Sequence, residues 1–243
     1  MQRLTRILVA LLLAAGVSAG AWWVTYRSAW MRLTTLRIVG NAQLTESAVR
    51  HLASLEPGAP LAGLDIDAAT RNVASHPWVA QVSVRRLFPS TVQVQIQERE
   101  VRAVLAASGV WLVDRDGVVF HRAVAGHLDH PWITGIPDEL VQREPALAQR
   151  IIHDALGCLD AAERVANLSS DRISEVRFDV RAGYTLALPN GGEILLGFRP
   201  PEEPLEQLMV LAKNGVSTDQ RPLRIDLGTR SQAVVTPLDP PRL

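Results

Sequence analysis

The chain has 243 residues, 47% of them hydrophobic and 21% charged, with 25 basic residues balanced by 25 acidic ones. This is a globular composition rather than a disordered one, and the zero balance counts against a general nucleic-acid binder, which carries a basic excess. The single cysteine, Cys158, excludes an intramolecular disulfide and a multi-cysteine zinc site.

Residues 7–26, "ILVALLLAAGVSAGAWWVTY", are twenty residues without a charge. As a helix they would be roughly 30 Å long, about the thickness of a bilayer's hydrocarbon core. Trp22, Trp23 and Tyr26 cluster at the far end, where amphipathic rings favour the headgroup region. A transmembrane anchor over 7–26 is therefore expected, after a short tail of residues 1–6. The competing reading is a cleaved signal peptide, since "VSAGA" has small residues at suitable spacing. Two tryptophans directly after the cleavage point argue against it. Arginines lie on both sides of the stretch, so the positive-inside rule does not orient it.

A strand at "RLTTLRIVGN" ends at Gly40 and Asn41, a pair that tolerates positive φ. Thr45 stands at an N-cap position before "ESAVRHLASL", whose Val49, Leu52 and Leu55 share one helical stripe. Asp65 or Asp67 caps a second helix, which ends before His76 and Pro77. The hairpin "HPWVAQVSVRRLFPSTVQVQIQE" follows, with Val92, Val94 and Ile96 alternating with glutamines. Two helices packed on a three-stranded sheet would bury that valine–isoleucine row. Arg85 and Arg86 protect a strand edge against unwanted pairing or, as the sharper alternative, touch a partner or anionic headgroups. His76, Pro77 and Trp78 set the angle of the incoming strand and pack the indole into the core.

From Val101 onward the pattern predicts strands at "VRAVLAAS", "VWLVD" and "GVVFHRA", then an irregular connector "HPWITGIP". A helix spans residues 145–167. Strands follow at "ISEVRFDV", "GYTLALP" and "EILLGF", then a last helix at "LEQLMVLAKNG" with Gly215 as its stop. Two closing strands, "LRIDL" and "QAVVT", complete a mostly antiparallel β domain with two helices, and the last of them is expected to be an open edge.

Catalytic motifs are weak. His121, His127 and His130 with Asp129 match no established ligand spacing, and "DRDG" at residues 114–117 lacks the remaining ligands of a calcium loop. No G-x-S-x-G, P-loop or H-E-x-x-H occurs. Neither a cofactor, a small-molecule substrate nor a metal is expected.

"IVGN" leading into a helix, then "LDIDAATRNVASHPWVAQVSVRRLFPSTVQVQIQERE", resembles the POTRA domain of the FtsQ/DivIB family of bacterial cell-division proteins. The layout of the rest is similar to the family's second domain, with "RIDLGTRSQAVVTPL" matching its C-terminal partner-binding strand. The resemblance implies an α+β protein: an N-terminal transmembrane helix, a small βααββ POTRA domain over 32–101, and a C-terminal β domain over 102–243. It implies a non-enzymatic, single-pass inner-membrane scaffold of the divisome, N-terminus cytoplasmic and body periplasmic, concentrated at the septum. Its implied partners are FtsB/FtsL-type proteins and other septal proteins, bound by β-strand addition. Carried over by position, the partner-binding residues are Ile225, Asp226, Leu227, Gly228, Thr229, Arg230, Ser231, Ala233 and Val234, with Arg181 contributing to the same surface. This chain departs from the family in having Gly228 and Thr229 where an arginine and an aromatic usually follow the Asp-Leu pair, and Val101 where a proline often stands. The alternative function is a POTRA-containing periplasmic translocation or assembly factor handling unfolded strands. A hydrolase using the histidine cluster is a third class.

Overall fold

The computed structural model describes residues 2–27, 31–218, 221–229 and 232–238; along the N-terminal helix the described side chains are those of 11–23. The helix, α1, runs Gln2–Arg27. Leu11, Leu12, Leu13, Val17, Trp22 and Trp23 are all exposed on it. Among the described residues no helix is long and apolar enough to cross a membrane. The chain forms two compact units, Met1–Arg99 and Glu100–Leu243.

In the first unit, β1 (Thr35–Val39), α2 (Glu46–Ala53), α3 (Ile66–Ala74), β2 (Val79–Leu87) and β3 (Thr91–Glu98) follow one another. The sheet order is β1-β3-β2, with β1 parallel and β2 antiparallel to the central β3. Both helix starts are fixed by local chemistry. Thr45 Oγ1 accepts the Ala48 N–H at 3.2 Å and Asp65 Oδ1 accepts that of Ala68 at 2.8 Å, caps worth about 1 kcal/mol each. Of the two aspartates weighed from sequence, Asp65 is the cap. Val92, Val94 and Ile96 are buried under the helices, each contributing roughly 1.5–3 kcal/mol. Trp78 packs partly buried against the same core.

The β1–α2 turn explains two residues of the sequence pattern. A Cβ at Gly40 (φ +88°) would lie 2.0 Å from the Ile96 carbonyl oxygen, so only glycine fits. The Glu98 carboxylate accepts the N–H groups of Ala42, Gln43 and Leu44 at 2.9, 2.7 and 2.9 Å. Glu98→Ala should therefore lower the stability of this unit by about 2 kcal/mol, measured as a fall in the urea midpoint for α2 and β3 amides. Glu98→Gln, which keeps one acceptor oxygen, should lose less.

The second unit is a nine-stranded sheet in the order β12-β11-β10-β9-β8-β7-β4-β5-β6. Its strands are β4 (Val101–Ala106), β5 (Val110–Asp114), β6 (Val119–Arg122), β7 (Trp132–Thr134), β8 (Glu175–Asp179), β9 (Gly183–Ala187), β10 (Glu193–Gly197), β11 (Leu223–Asp226) and β12 (Val234–Pro237). Five of the eight neighbouring pairs are antiparallel; β4–β7, β7–β8 and β10–β11 are parallel. One segment expected to be an irregular connector is in fact β7, at the middle of the sheet, with Ile133 fully buried between Leu105 and Val176. Three residues between Pro131 and Gly135 are too few to show a period of two. Among the described residues the unit also holds three α-helices rather than two: α4 (Asp138–Arg143), α5 (Pro145–Ala166) and α6 (Glu202–Lys213).

The long α5 starts on Pro145, whose fixed φ suits a first helical position, and stops at Asn167 in the left-handed region (φ 52°). Its Ile151, Ala155, Leu159 and Ala162 form one buried stripe, packed with Ile133, Val176, Leu186 and Ile194 of the sheet. Arg102 of β4 ties the sheet to α5 by bonds to Asp160 (2.7 Å) and Glu163 (3.0 Å). The "DRDG" stretch is a hairpin turn: Asp114 Oδ1 accepts the N–H groups of Asp116 and Val118 at 3.0 and 2.8 Å.

Candidate docking edge of the C-terminal sheet

The closing strands place the candidate site residues in two different situations. Ile225 and Asp226 lie in β11, flanked by β10 on one side and β12 on the other, and Ile225 and Leu227 are fully buried. These residues carry the edge without being the edge. Gly228 and Thr229 turn the chain away. The Gly228 N–H donates to Asp226 Oδ1 at 2.9 Å, and Thr229 Oγ1 donates to the Gln232 carbonyl at 2.9 Å. Arg230 and Ser231 lie outside the described residues. Ala233 is exposed, and Val234, first residue of β12, is 54% exposed.

β12 ends the sheet, and among the described residues no strand pairs with the outer side of its backbone. The register shows which groups face outward. Leu238 N–H donates to the Pro222 carbonyl at 2.9 Å, and the pairs Arg224–Thr236 and Asp226–Val234 fall two and four residues along. Hydrogen-bonded and non-hydrogen-bonded pairs alternate in an antiparallel ladder. Val234, Thr236 and Leu238 therefore point their backbone groups at β11, while Ala233 and Val235 present N–H and C=O to solvent. Pro237, the next outward position, has no N–H to present, which is why proline is tolerated there. All four residues of β12 are exposed and none is charged. The opposite edge differs: β6 carries His121 and Arg122, the latter 5.2 Å from the Trp111 ring centre.

The sheet end beside Gly228 gathers further groups. The β9–β10 register shifts between Leu195 and Gly197, and Gly197 (φ +78°) lies against Gly228, its would-be Cβ 3.2 Å from the Gly228 Cα. Such a bulge re-aims the following side chain, and Phe198 emerges 61% exposed, edge-on to Phe178 at 6.4 Å. Arg199, mostly buried, donates from Nη2 to the carbonyls of Leu227 and Thr229 and from Nη1 to Glu203 (3.4 Å). Arg181 is exposed in the β8–β9 turn at this same end of the sheet. Asp179 shapes that turn by accepting the N–H groups of Arg181 (2.7 Å) and Ala182 (2.9 Å), which hold its carboxyl below the ordinary range. Val180 beside it is exposed. Sequence reasoning missed Phe198, Arg199 and Val235. "GFRPP" reads as the end of a strand, and only the bulge decides where its aromatic points.

A cleft of about 480 Å³ lies between α5 and the β10–α6 connection, lined among others by Asp154, Cys158, Arg164, Tyr184, Phe198 and Arg199. Burial first, and then the Asp154 and Glu202 carboxylates, push the Cys158 thiol up to about 12. It stays protonated at neutral pH and is a poor nucleophile. Burial also raises the Tyr184 hydroxyl, which donates toward Asp154 at 3.3 Å. Among the described residues no group of three or more His, Cys, Asp or Glu side chains is placed to hold a metal.

A βααββ unit followed by a mixed, mostly antiparallel sheet defines a two-domain α+β protein. Residues 31–99 match the POTRA domain of FtsQ type, and residues 103–227 match the C-terminal domain of the cell division protein FtsQ/DivIB. The chain is 35% identical over 202 residues to cell division protein FtsQ of Anaeromyxobacter sp. (strain K), covering 83% of this chain and 69% of that protein. It is 30% identical over 199 residues to the FtsQ of Myxococcus fulvus, covering 82% and 69%. With the FtsQ of Geobacter sp. (strain M21) it shares 29% over 184 residues, 74% and 67%. The chain belongs to the FtsQ/DivIB family of cell-division proteins. The match to the family's C-terminal domain ends at Leu227, before β12.

Proposed function

We propose that this chain is a single-pass inner-membrane scaffold of the divisome that binds an FtsB/FtsL-type partner by adding the partner's strand to β12. Residues 7–26 are the anchor and 1–6 a cytoplasmic tail; the POTRA domain over 32–101 and the β domain over 102–243 stand in the periplasm at the septum. The uncharged stretch 7–26 and the apolar side chains exposed on α1 support the anchor, since a surface of that kind needs lipid or protein to cover it. The protein acts by holding partners together rather than by catalysis.

One observation carries the docking proposal: β12 is exposed and uncharged, and among the described residues no strand pairs with its outer side. Edges that are not meant to pair carry charges or are covered. In strand addition the main chain supplies affinity and alternate side chains supply choice. Ala233 and Val235 would supply the main-chain pairs, with Val234 and Thr229 bordering the incoming strand and Arg181 at the same end of the sheet, beyond β10, β11 and β12. Gly228 leaves the turn close to Gly197, and Ile225, Asp226 and Leu227 hold β12 in register. Arg230 and Ser231 belong to the same connection. Phe198 offers the aromatic that Gly228 and Thr229 do not, while Arg199 is spent inside the unit, holding the carbonyls of Leu227 and Thr229. Arginine and aromatic side chains dominate many interfaces.

Photocrosslinking side chains at Thr229 and Val234 in the full-length protein in cells should capture a small coiled-coil protein, identified by mass spectrometry. A crosslinker at His121 on the opposite edge should not. Capture from His121 with none from Val234 would move the site to β6.

A further inference from the structure

The POTRA sheet has a second exposed feature that strand addition at β12 does not use. The β2–β3 turn projects Phe88, 66% exposed, beside Leu87, 40% exposed. The register puts Leu87, Thr91 and Thr35 in one row on the sheet face away from the helices. The next row is Arg85, Gln93 and Arg37, so two exposed arginines stand across the sheet just behind the apolar tip. The remaining side chains of that face are Gln81, Ser83, Gln95, Gln97 and Val39, with no carboxylate among them. The groove beside β1 includes one acid, Glu46, which heads α2 on the helix side. Arg86, by contrast, is spent internally: it donates to the carbonyls of Leu61 and Leu64.

This turn is also the end of the domain from which the chain leaves toward α1. Thr34 N–H donates to the Ser90 carbonyl at 2.9 Å, and Arg32 is held by a bridge to Pro60 and a bond from Nη1 to the Gly58 carbonyl at 2.8 Å. Arg27, the last residue of α1, is five residues before Arg32. Five residues reach at most about 18 Å, so the turn is leashed close to the end of the helix. An aromatic tip with arginines behind it and no acid on its own sheet face suits the boundary between headgroups and acyl chains of an anionic bilayer.

We infer that the β2–β3 turn is a lipid-docking element: Phe88 and Leu87 enter the bilayer interface while Arg85 and Arg37 bind anionic phospholipid headgroups. This rests on the anchoring of α1 proposed above. The contact holds the POTRA domain against the membrane instead of leaving it free on its tether. Each arginine near an anionic surface contributes about fivefold to the occupancy of the docked state, and salt weakens that part.

The test uses the full-length protein in nanodiscs of phosphatidylcholine alone and of phosphatidylcholine mixed with phosphatidylglycerol, followed by hydrogen exchange. Amides of residues 85–91 should exchange more slowly in the anionic discs, with α2 and α3 unchanged. Arg85→Ala should reduce that protection about fivefold, and Phe88→Ser should remove most of it while α2 and α3 keep their exchange rates. Equal exchange of 85–91 in the two lipid mixtures, with α1 protected in both, overturns the inference and leaves the anchor standing. An α1 that exchanges freely in both discs defeats the anchored reading, and this inference with it. Protection of 85–91 that appears only when a second protein is added assigns the tip to a protein partner and overturns it too.

Discussion

Val235→Pro should weaken binding of the β12 partner a hundredfold or more while leaving the fold in place. Val235 is an outward position of the edge strand, so its N–H is spent on no internal bond. Proline removes that donor and sets a ring where the partner's backbone must approach. The loss of part of one half-exposed side chain costs roughly 1 kcal/mol of stability. Thr236→Pro is the matched control with the opposite signature. Its N–H points at β11, so the substitution unseats β12 itself and lowers both stability and binding. A proline at Gly228 would instead remove the N–H donated to Asp226. Binding of the purified periplasmic partner, measured alongside thermal unfolding, separates the cases. If Val235→Pro and wild type bind equally, strand addition at this edge is wrong.

Phe198→Ser should cost about thirtyfold in partner affinity, the effect of removing a central aromatic anchor. Phe198 is 61% exposed and touches Phe178 only edge-on, so stability should change by less than about 1 kcal/mol. Arg199→Ala should behave differently. Its guanidinium binds the carbonyls of Leu227 and Thr229, which orders the chain leaving β11. Removing it should loosen β12 and lower affinity together with protection of the β12 amides from exchange. Phe198→Ser should leave those amides unchanged. A Phe198→Ser variant with unaltered affinity would show that no aromatic replaces the one absent at Gly228 and Thr229.

How much of this was legible in the sequence depended on the range of the physics involved. The cap at Thr45, the glycine turn at Gly40 and the alternating β2–β3 hairpin are decided within a few residues and were read directly, while the second cap was narrowed to Asp65 or Asp67 and the structure chose Asp65. The stop of α5 at Asn167 belongs to the same group. β7 was not legible, because its three residues become a strand only through β4 and β8 on either side. α4 is six residues long and shows no complete hydrophobic period. The open edge was expected from the order of the closing strands. The interior place of β11 was not, since it depends on parallel pairing with β10 across α6, a contact no local pattern announces. Phe198 is the clearest omission: its exposure depends on the Gly197 bulge and on the packing of Gly197 against Gly228, thirty-one positions further along the chain.

Leu227 is the last buried residue among those described; from Gly228 on, each described side chain is exposed or half-exposed. The information that folds the second unit and the information that would select a partner therefore occupy separate stretches of chain. Substitutions at Ala233, Val234 or Thr236 meet no buried core that would penalise them, so a docking strand at this position can change as fast as its partner does. A cell-division protein that docks its partner as proposed here can be given a new specificity by exchanging one exposed edge strand, with the other eight strands of the sheet left as they are.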